Sequence, residues 1–380
     1  MRMKKKFIIL HEYGEPRHFR ALEYLLRNQY PAVRFCYREF SFSGALKKII
    51  KGRKLSASLK LIINFVCMIR LLFSKGTPVI LGMAPYDFRI VDISRILKRH
   101  HIFYFTSWAN WHGNYAPKTR LRNLKIVQHT WKHFLEKSIA GLFTVSQTAL
   151  NSIHQKYNVS CPEVVVYHSF DEKTFCANDT SVFSQPELSS LRCLFAGRLE
   201  AEKGIDDILA LAKYLPEEQF DFRFVGNGRL KGKILEMERL HRNIHWHEFV
   251  QDEQKLAKIF RQCDILLLPS RKTDHWVEGF GMVIIEAMAC GLVVIATDHP
   301  GPREIFRGNE TGYILKEAKF RREASLLLHK LLKNRSELEE RRKRSIQLAQ
   351  NFTAKKLSQN WNEILSDYLS EETKKREILS

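Results

Sequence analysis

Short, almost wholly apolar runs alternate with helical stretches along this chain, and the pattern occurs twice over. Phe7, Ile8, Ile9 and Leu10 show the first such run. Four apolar residues in a row leave no side to turn toward water. Such a run suits a strand covered on both faces, as in a parallel sheet. In the first half the spacing predicts strands over 5–10, 78–81, 101–105, 142–145 and 164–167, with helices over 19–28 and 149–157. In the second half it predicts strands over 192–196, 222–225, 244–247, 264–269 and 293–296. Helices are expected there over 205–215, 231–241, 254–262 and 282–290, with Gly291 where a left-handed C-terminal residue belongs. The expected fold class is α/β, with two Rossmann-like doubly wound domains facing each other across a cleft. Ligands in such sheets bind at the carboxyl ends of the strands.

The length agrees. A chain of 380 residues exceeds one ordinary core, so two domains of roughly 150–200 residues are expected. The polar stretch 171–190, with Pro186, reads as the linker. The domains are then residues 1–185, residues 186–355, and a C-terminal helix over 356–380 carrying an apolar stripe of Trp361, Ile364, Leu365, Tyr368 and Leu369. Seven scattered cysteines form no C-x-x-C pair, so neither a disulfide framework nor a structural zinc site is expected. The apolar start is too short for a secretory signal. No stretch reaches the ~18–20 apolar residues needed to span a bilayer. A cytoplasmic location is the expectation.

The richest segment for chemistry runs S-R-K-T-D-H-W-V-E-G-F-G-M-V-I-I-E-A-M-A-C-G, from Ser270 to Gly291. Gly279 and Gly281 flank Phe280 and let the backbone approach a ligand. Met282 and Val283 open a helix whose free N–H groups can hold an anion. Glu286 lies inside an otherwise apolar helix, where an unpaired carboxylate is costly. It is placed to accept hydrogen bonds from hydroxyls such as a ribose diol, and Glu278 to hold sugar hydroxyls. The plain alternative is two surface glutamates flanking a buried helix.

A second element is Gly197-Arg198, directly after a strand, with Lys203 just before a helix. Two cations at one sheet edge can stabilise a departing diphosphate without a metal. No D-x-D occurs, so metal-independent chemistry with no cofactor is expected. His245 and His247 share a strand face but lack an indicated third ligand. The turn Gly226-Asn227-Gly228 can flank a nucleotide or be only a tight turn. Phe249, Val250 and Asp252 can border a base. Residues 298–304 (D-H-P-G-P-R-E) read equally as a shaped turn or a site.

Taken together, G-R-L-x-x-x-K-G, V-G-x-G, L-P-S with E-G-F-G-x-V-x-x-E-A-M-A-x-G, and G-P-R-E-I-F with T-G-Y-I resemble family 4 of the retaining glycosyltransferases, the glycosyl transferases group 1, of the bacterial surface-polysaccharide type. The resemblance covers about residues 140–315. It implies the GT-B fold, with C-terminal helices crossing back to the first domain. It implies sugar transfer from a nucleotide-diphosphate sugar to an acceptor hydroxyl, with retention and no metal. It implies that Arg198 and Lys203 bind the donor diphosphate, that Glu278 meets the donor sugar, and that Glu286 meets the ribose. Relatives carry a Gly-Gly turn after the first strand, where this chain has Gly14. Relatives also place an active-site histidine after a middle strand, and here His112 lies offset from that place. The usual N-G-hydrophobic-D near the domain junction is replaced by His168-Ser169-Phe170-Asp171. A nucleotide-sugar epimerase or phosphorylase of the same fold is the alternative enzyme.

Charge adds a partner. The chain's net charge is +21, and the first 180 residues hold 29 Lys/Arg against 11 Asp/Glu. Between Lys47 and Lys75 lie eight basic and no acidic residues, interleaved with Leu61, Ile62, Ile63, Phe65, Val66, Ile69, Leu71, Leu72 and Phe73. Such a stretch suits docking to anionic lipid, here the inner face of the cytoplasmic membrane near a lipid-linked acceptor. A core helix with a solvated basic face is the plainer reading. Nucleic-acid binding driven by charge alone would leave Glu278 and Glu286 without a role.

Overall fold

The computed structural model describes residues 6–12, 16–40, 55–117, 119–177, 190–308 and 311–370. Gly14, Lys47, Lys48, Lys51, Arg53, Lys54 and most of the expected linker lie outside the described residues. The chain divides into two compact units, 1–168 with 357–380, and 169–356.

Unit 1 is built on β1 (Lys6–His11), β2 (Arg34–Glu39), β3 (Pro78–Gly82), β4 (His101–Thr106), β5 (Ile139–Thr144) and β6 (Glu163–Val165). All pair in parallel, in the order β2-β1-β3-β4-β5-β6. Its helices are α1 (Arg20–Asn28), α2 (Leu55–Phe73), α3 (Ile90–Leu97), α4 (Lys125–His133) and α5 (Gln147–His154).

Alternate residues of each strand feed two separate cores, because successive side chains point to opposite faces. Ile8, Leu10, Val79, Leu81, Ile102 and Tyr104 join one cluster with Met68 and Leu71 of α2, Ile93 of α3 and Trp131 of α4. Phe7, Ile9, Ile80, Phe103, Phe105 and Phe143 join the other with Leu22 and Leu25 of α1. That second core also takes Leu357, Trp361, Ile364, Leu365 and Leu369 from α13 (Ala354–Leu369). The apolar stripe read at the C-terminus thus packs on unit 1. Trp361 is fully buried, with its ring 4.3 Å from Phe143 and 5.7 Å from Phe105.

Unit 2 holds β7 (Leu191–Ala196), β8 (Phe220–Val225), β9 (Ile244–His247), β10 (Ile265–Leu268), β11 (Val293–Thr297) and β12 (Tyr313–Leu315). The order β9-β8-β7-β10-β11-β12 is all parallel and has the Rossmann connectivity, with its switch point between β7 and β10. Its helices are α6 (Ile205–Tyr214), α7 (Lys231–Leu240), α8 (Glu253–Arg261), α9 (Met282–Ala289), α10 (Pro300–Phe306), α11 (Phe320–Lys333) and α12 (Arg335–Ala349). The Asp252 carboxylate caps α8 by accepting from the N–H groups of Gln254 and Lys255. Gly291 has φ 85°, the left-handed conformation expected there.

The polar base of this sheet is tied by Asp264. Its buried carboxylate accepts from the backbone N–H and guanidinium of Arg192 at 3.0 Å and from Arg342 at 2.9 Å. The change-over between units falls at Ser169, earlier than position 185, because Phe170 bridges to Thr353 and Phe175 packs 5.9 Å from Phe260, both within unit 2. Among the described residues no helix is long and apolar enough to cross a membrane.

If α13 completes the unit 1 core, Trp361→Ala removes a central ring and should lower unfolding stability by about 3–5 kcal/mol. Urea unfolding followed by fluorescence checks this, and a change under 1 kcal/mol would show α13 to be dispensable.

Candidate active site

Two loops meet at the carboxyl ends of β7 and β10, the switch point of the unit 2 sheet. From β7 the chain runs through Gly197 and Arg198 into a short turn (Ala201–Lys203) that delivers Lys203. From β10 it reaches Ser270, makes an excursion through Thr273 and Trp276, and returns at Glu278. The Lys203 ammonium donates to the Glu278 carboxylate at 2.6 Å, and the Ser270 hydroxyl donates to the same oxygen at 3.0 Å. The centre of the Trp276 indole lies 4.6 Å from the ammonium, a cation–π contact. Glu278 is buried and the Lys203 side chain nearly so. Removing either partner of such a pair strands the other's charge away from water.

Next to the pair α9 begins. Gly281 is its N-terminal cap with φ 85°, a conformation that L side chains rarely adopt, so the chain can turn there from the Glu278 loop straight into the helix. Phe280 is buried and packs 6.2 Å from Phe352, while Gly279 and Met282 are half-buried. Farther along α9, Glu286 faces a cavity of about 280 Å³. Gly197, Arg198, Asn227, Val250 and Val283 line it too, with Phe249, Leu256 and Phe260 supplying apolar wall.

Arg198 is 62% exposed along its side chain and lies 3.5 Å from Glu202. It is thus free to swing toward a ligand at little cost. The glycines of the V-G-N-G turn are set back. A Cβ on Gly226 would sit 1.9 Å from the Gly197 carbonyl oxygen, so this residue permits backbone contact while Asn227 reaches the cavity.

The structure therefore brings Lys203 and Glu278 into contact and lines one cavity with Gly197, Arg198, Val250, Val283 and Glu286. Ser270, Trp276 and His299 also belong to the Glu278 environment. The sequence marks their stretches, with Ser270 in L-P-S and His299 in the 298–304 turn, but not their contacts, because each meets Glu278 or Lys203 through a fold of the loop. Of the 298–304 stretch, His299 is buried and Asp298 pairs with Arg303. Asp171 accepts from the Thr174 hydroxyl at 2.7 Å and so stabilises a turn.

In unit 1, His112 is exposed, with Nδ1 3.0 Å from the Ser152 hydroxyl, which also accepts from the Trp111 N–H at 2.8 Å. A different histidine group forms at the carboxyl edge of that sheet. The His18 ring lies 5.4 Å from His11, 5.4 Å from His168, and stacks on Phe105 at 5.8 Å. Burial, and then the neighbouring His11, pulls His18 down to about 4. Burial, and then His18, pulls His168 down to about 3.

Two all-parallel six-stranded sheets, one in each unit, give the GT-B fold. Anabaena Alr3699/HepE, solved in complex with UDP and also with UDP-glucose, has the same fold. Its UDP complex aligns over 95% of this chain and 100% of that one at a TM-score of 0.69, with 16% identity. The glycosyl transferases group 1 family model matches residues 182–352 of this chain. The chain is 27% identical over 177 residues to the N-acetyl-alpha-D-glucosaminyl L-malate synthase of Bacillus anthracis, covering 45% of this chain and 44% of that protein. It is 24% identical over 243 residues to the amylovoran biosynthesis glycosyltransferase AmsK of Erwinia amylovora, covering 56% and 58%. The chain spans about half the length of these curated relatives.

The histidine group sets a pH limit on unit 1. His18 and His168 fold as neutral rings with pKa values below the ordinary 6.5, so the unfolded chain binds protons first as pH falls. Their stabilising contribution is complete above pH 6.5 and is lost progressively toward about 4 and then 3. Urea unfolding between pH 7 and 4 should fall more steeply for the wild type than for His18→Gln; parallel curves would refute this.

Proposed function

We propose that this protein transfers a sugar from a nucleoside diphosphate sugar to an acceptor hydroxyl, with retention of configuration and without a metal. The carrying observation is the Lys203–Glu278 pair at the sheet's switch point beside the Glu286-lined cavity. The family of residues 182–352, and the UDP and UDP-glucose held by the Anabaena protein of like fold, support the same reading.

In this mechanism the nucleoside occupies the cavity, and Glu286 accepts from its ribose hydroxyls. The diphosphate lies on the N-terminus of α9, where unsatisfied N–H groups and the helix dipole favour an anion. Arg198 and Lys203 neutralise it from the sides. The Lys203 ammonium has three protons, so it can hold Glu278 and a phosphate oxygen at once. Glu278 then accepts from sugar hydroxyls. The bond from the anomeric carbon to the phosphate oxygen breaks as the acceptor oxygen bonds to the same face. The acceptor's proton passes to the departing phosphate oxygen, and the cations stabilise the charge that develops there.

A lipid-linked saccharide in surface-polysaccharide assembly is the acceptor we assign. AmsK, named for amylovoran biosynthesis, supports it. So does α2. Asn64, Cys67, Met68 and Leu71 face the core, while other apolar side chains between 59 and 73 turn outward: Phe73 is 78% exposed, Leu59 60% and Ile62 57%. Arg70 and Lys75 are exposed beside them, and α2 carries no acidic residue. Apolar side chains ringed by cations complement an anionic lipid surface, where the chains insert and the cations meet headgroups. The protein on this reading works at the inner face of the cytoplasmic membrane.

Thermal-shift screening against a panel of nucleotide sugars should single out one donor, since a ligand that binds only the folded state raises its stability. With that donor, Lys203→Ala or Glu278→Ala should lower kcat by about 10²–10³-fold, and EDTA should leave wild-type turnover unchanged. Near-normal turnover in either variant defeats the assigned roles. In flotation assays the protein should rise with phosphatidylglycerol vesicles and not with phosphatidylcholine, and Ile62→Ser with Phe73→Ser should abolish this. Equal binding to both vesicle types, or to neither, would overturn the membrane assignment.

A further inference from the structure

Glu278 is held by a residue that lies outside the loop that carries it. We infer that His299 is a positioning residue that fixes Glu278 for donor-sugar binding; this rests on the donor-site reading above. His299 follows β11 and precedes Pro300 of α10, and it is 2% exposed. Its Nδ1 lies 3.1 Å from the backbone nitrogen of Glu278. A peptide N–H can only donate, so Nδ1 accepts, and the ring carries its proton on Nε2. Nε2 lies 2.9 Å from the carbonyl oxygen of Ser270 and 3.0 Å from a Glu317 carboxylate oxygen, and donates between them.

One imidazole therefore clamps both ends of the 270–278 excursion. The bond to Ser270 holds the departing end of the loop and the bond to Glu278 holds the returning end. The Thr297 hydroxyl adds a second bond to the Ser270 carbonyl at 2.5 Å. Two residues beyond His299, the Gly301 N–H donates to the Glu278 carbonyl at 3.1 Å. Both backbone hydrogen-bonding groups of Glu278 are thus satisfied by the 299–301 segment. Its carboxylate then has little freedom, and its bonds to Ser270 and Lys203 follow from that placement.

The consequence is selective. Glu278 is assigned to the sugar, whereas the nucleoside and diphosphate are assigned to the cavity, Arg198, Lys203 and the start of α9, and the His299 ring bonds only Glu278 N, Ser270 O and Glu317. Loss of the His299 clamp should weaken recognition of the sugar and leave recognition of the nucleotide nearly intact. A merely structural role would weaken both alike, or neither.

Titration calorimetry tests this on the full chain with two probes: the sugar nucleotide that gives the largest shift in the panel, and the nucleoside diphosphate it contains. His299→Phe keeps a ring without hydrogen bonds, and His299→Ala removes it. In each, affinity for the sugar nucleotide should fall about tenfold, the scale of one buried hydrogen bond, while nucleoside diphosphate affinity stays within about threefold. His299→Asn keeps an oxygen near the Nδ1 position and should recover most of the loss. An equal loss for both probes, no loss for the sugar nucleotide, or no recovery in Asn overturns the inference. A wild type that binds neither probe overturns the donor-site reading itself.

Discussion

Both sheets are covered on each face, and that constraint governs where chemistry can occur. In unit 1 the two faces of each strand feed two separate apolar cores. In unit 2, β10 and β11 are buried at every residue. A carboxylate or ammonium has no place along such strands. Functional groups are pushed to the strand ends, and at the amino ends of β10 and β11 the available space is taken by the Asp264–Arg192–Arg342 knot. The carboxyl ends are left. There the reversal of strand order between β7 and β10 opens a crevice that neither crossover helix fills.

Lys203 and Glu278 illustrate the cost of using that crevice. Taking two charges out of water is unfavourable, and the attraction between them offsets it only when further hydrogen bonds satisfy the remaining atoms. Ser270 and Trp276 supply those contacts here. The loop bearing Glu278 has no regular structure of its own, so its precision comes from the adjoining strand–helix turn at His299 and Gly301. Rigidity is borrowed from the sheet through backbone bonds, while the side chains stay available to a ligand.

Much of this was legible in the sequence, and the reason is local. Strands such as Ile265–Leu268 and Ile244–His247 announce themselves by continuous or patterned apolarity, and the E-G-F-G turn by its glycines. What escaped notice lacks such a mark. The edge strand β2 reads R-F-C-Y-R-E and is nowhere fully buried, because it has a neighbour on one side only. The helices α3 and α4 carry charges through short apolar stripes, and β12 is only three residues long. The first unit's histidine group was equally hidden. His168 is about 150 residues from His11 and His18, and they meet only because β1 and the segment after β6 end at the same edge.

The same logic separates two kinds of site residue. Glu286 stands where a polar residue interrupts an apolar helix, so the interruption itself points to it, while Glu278, Arg198 and Lys203 are marked by their glycine neighbours, their places after strands or before a helix, and the family resemblance. Ser270, Trp276 and His299 stand in loops where polar residues are ordinary, and a single histidine before a proline carries no message. The role of His299 emerges from three dimensions alone: a ring nitrogen that must accept because it faces an N–H that can only donate. Where a reacting group is set by such a bond, the residue that sets it can lie anywhere in the chain. For this fold it is most readily found by asking which partner satisfies the backbone of the reacting residue, before asking what its side chain touches.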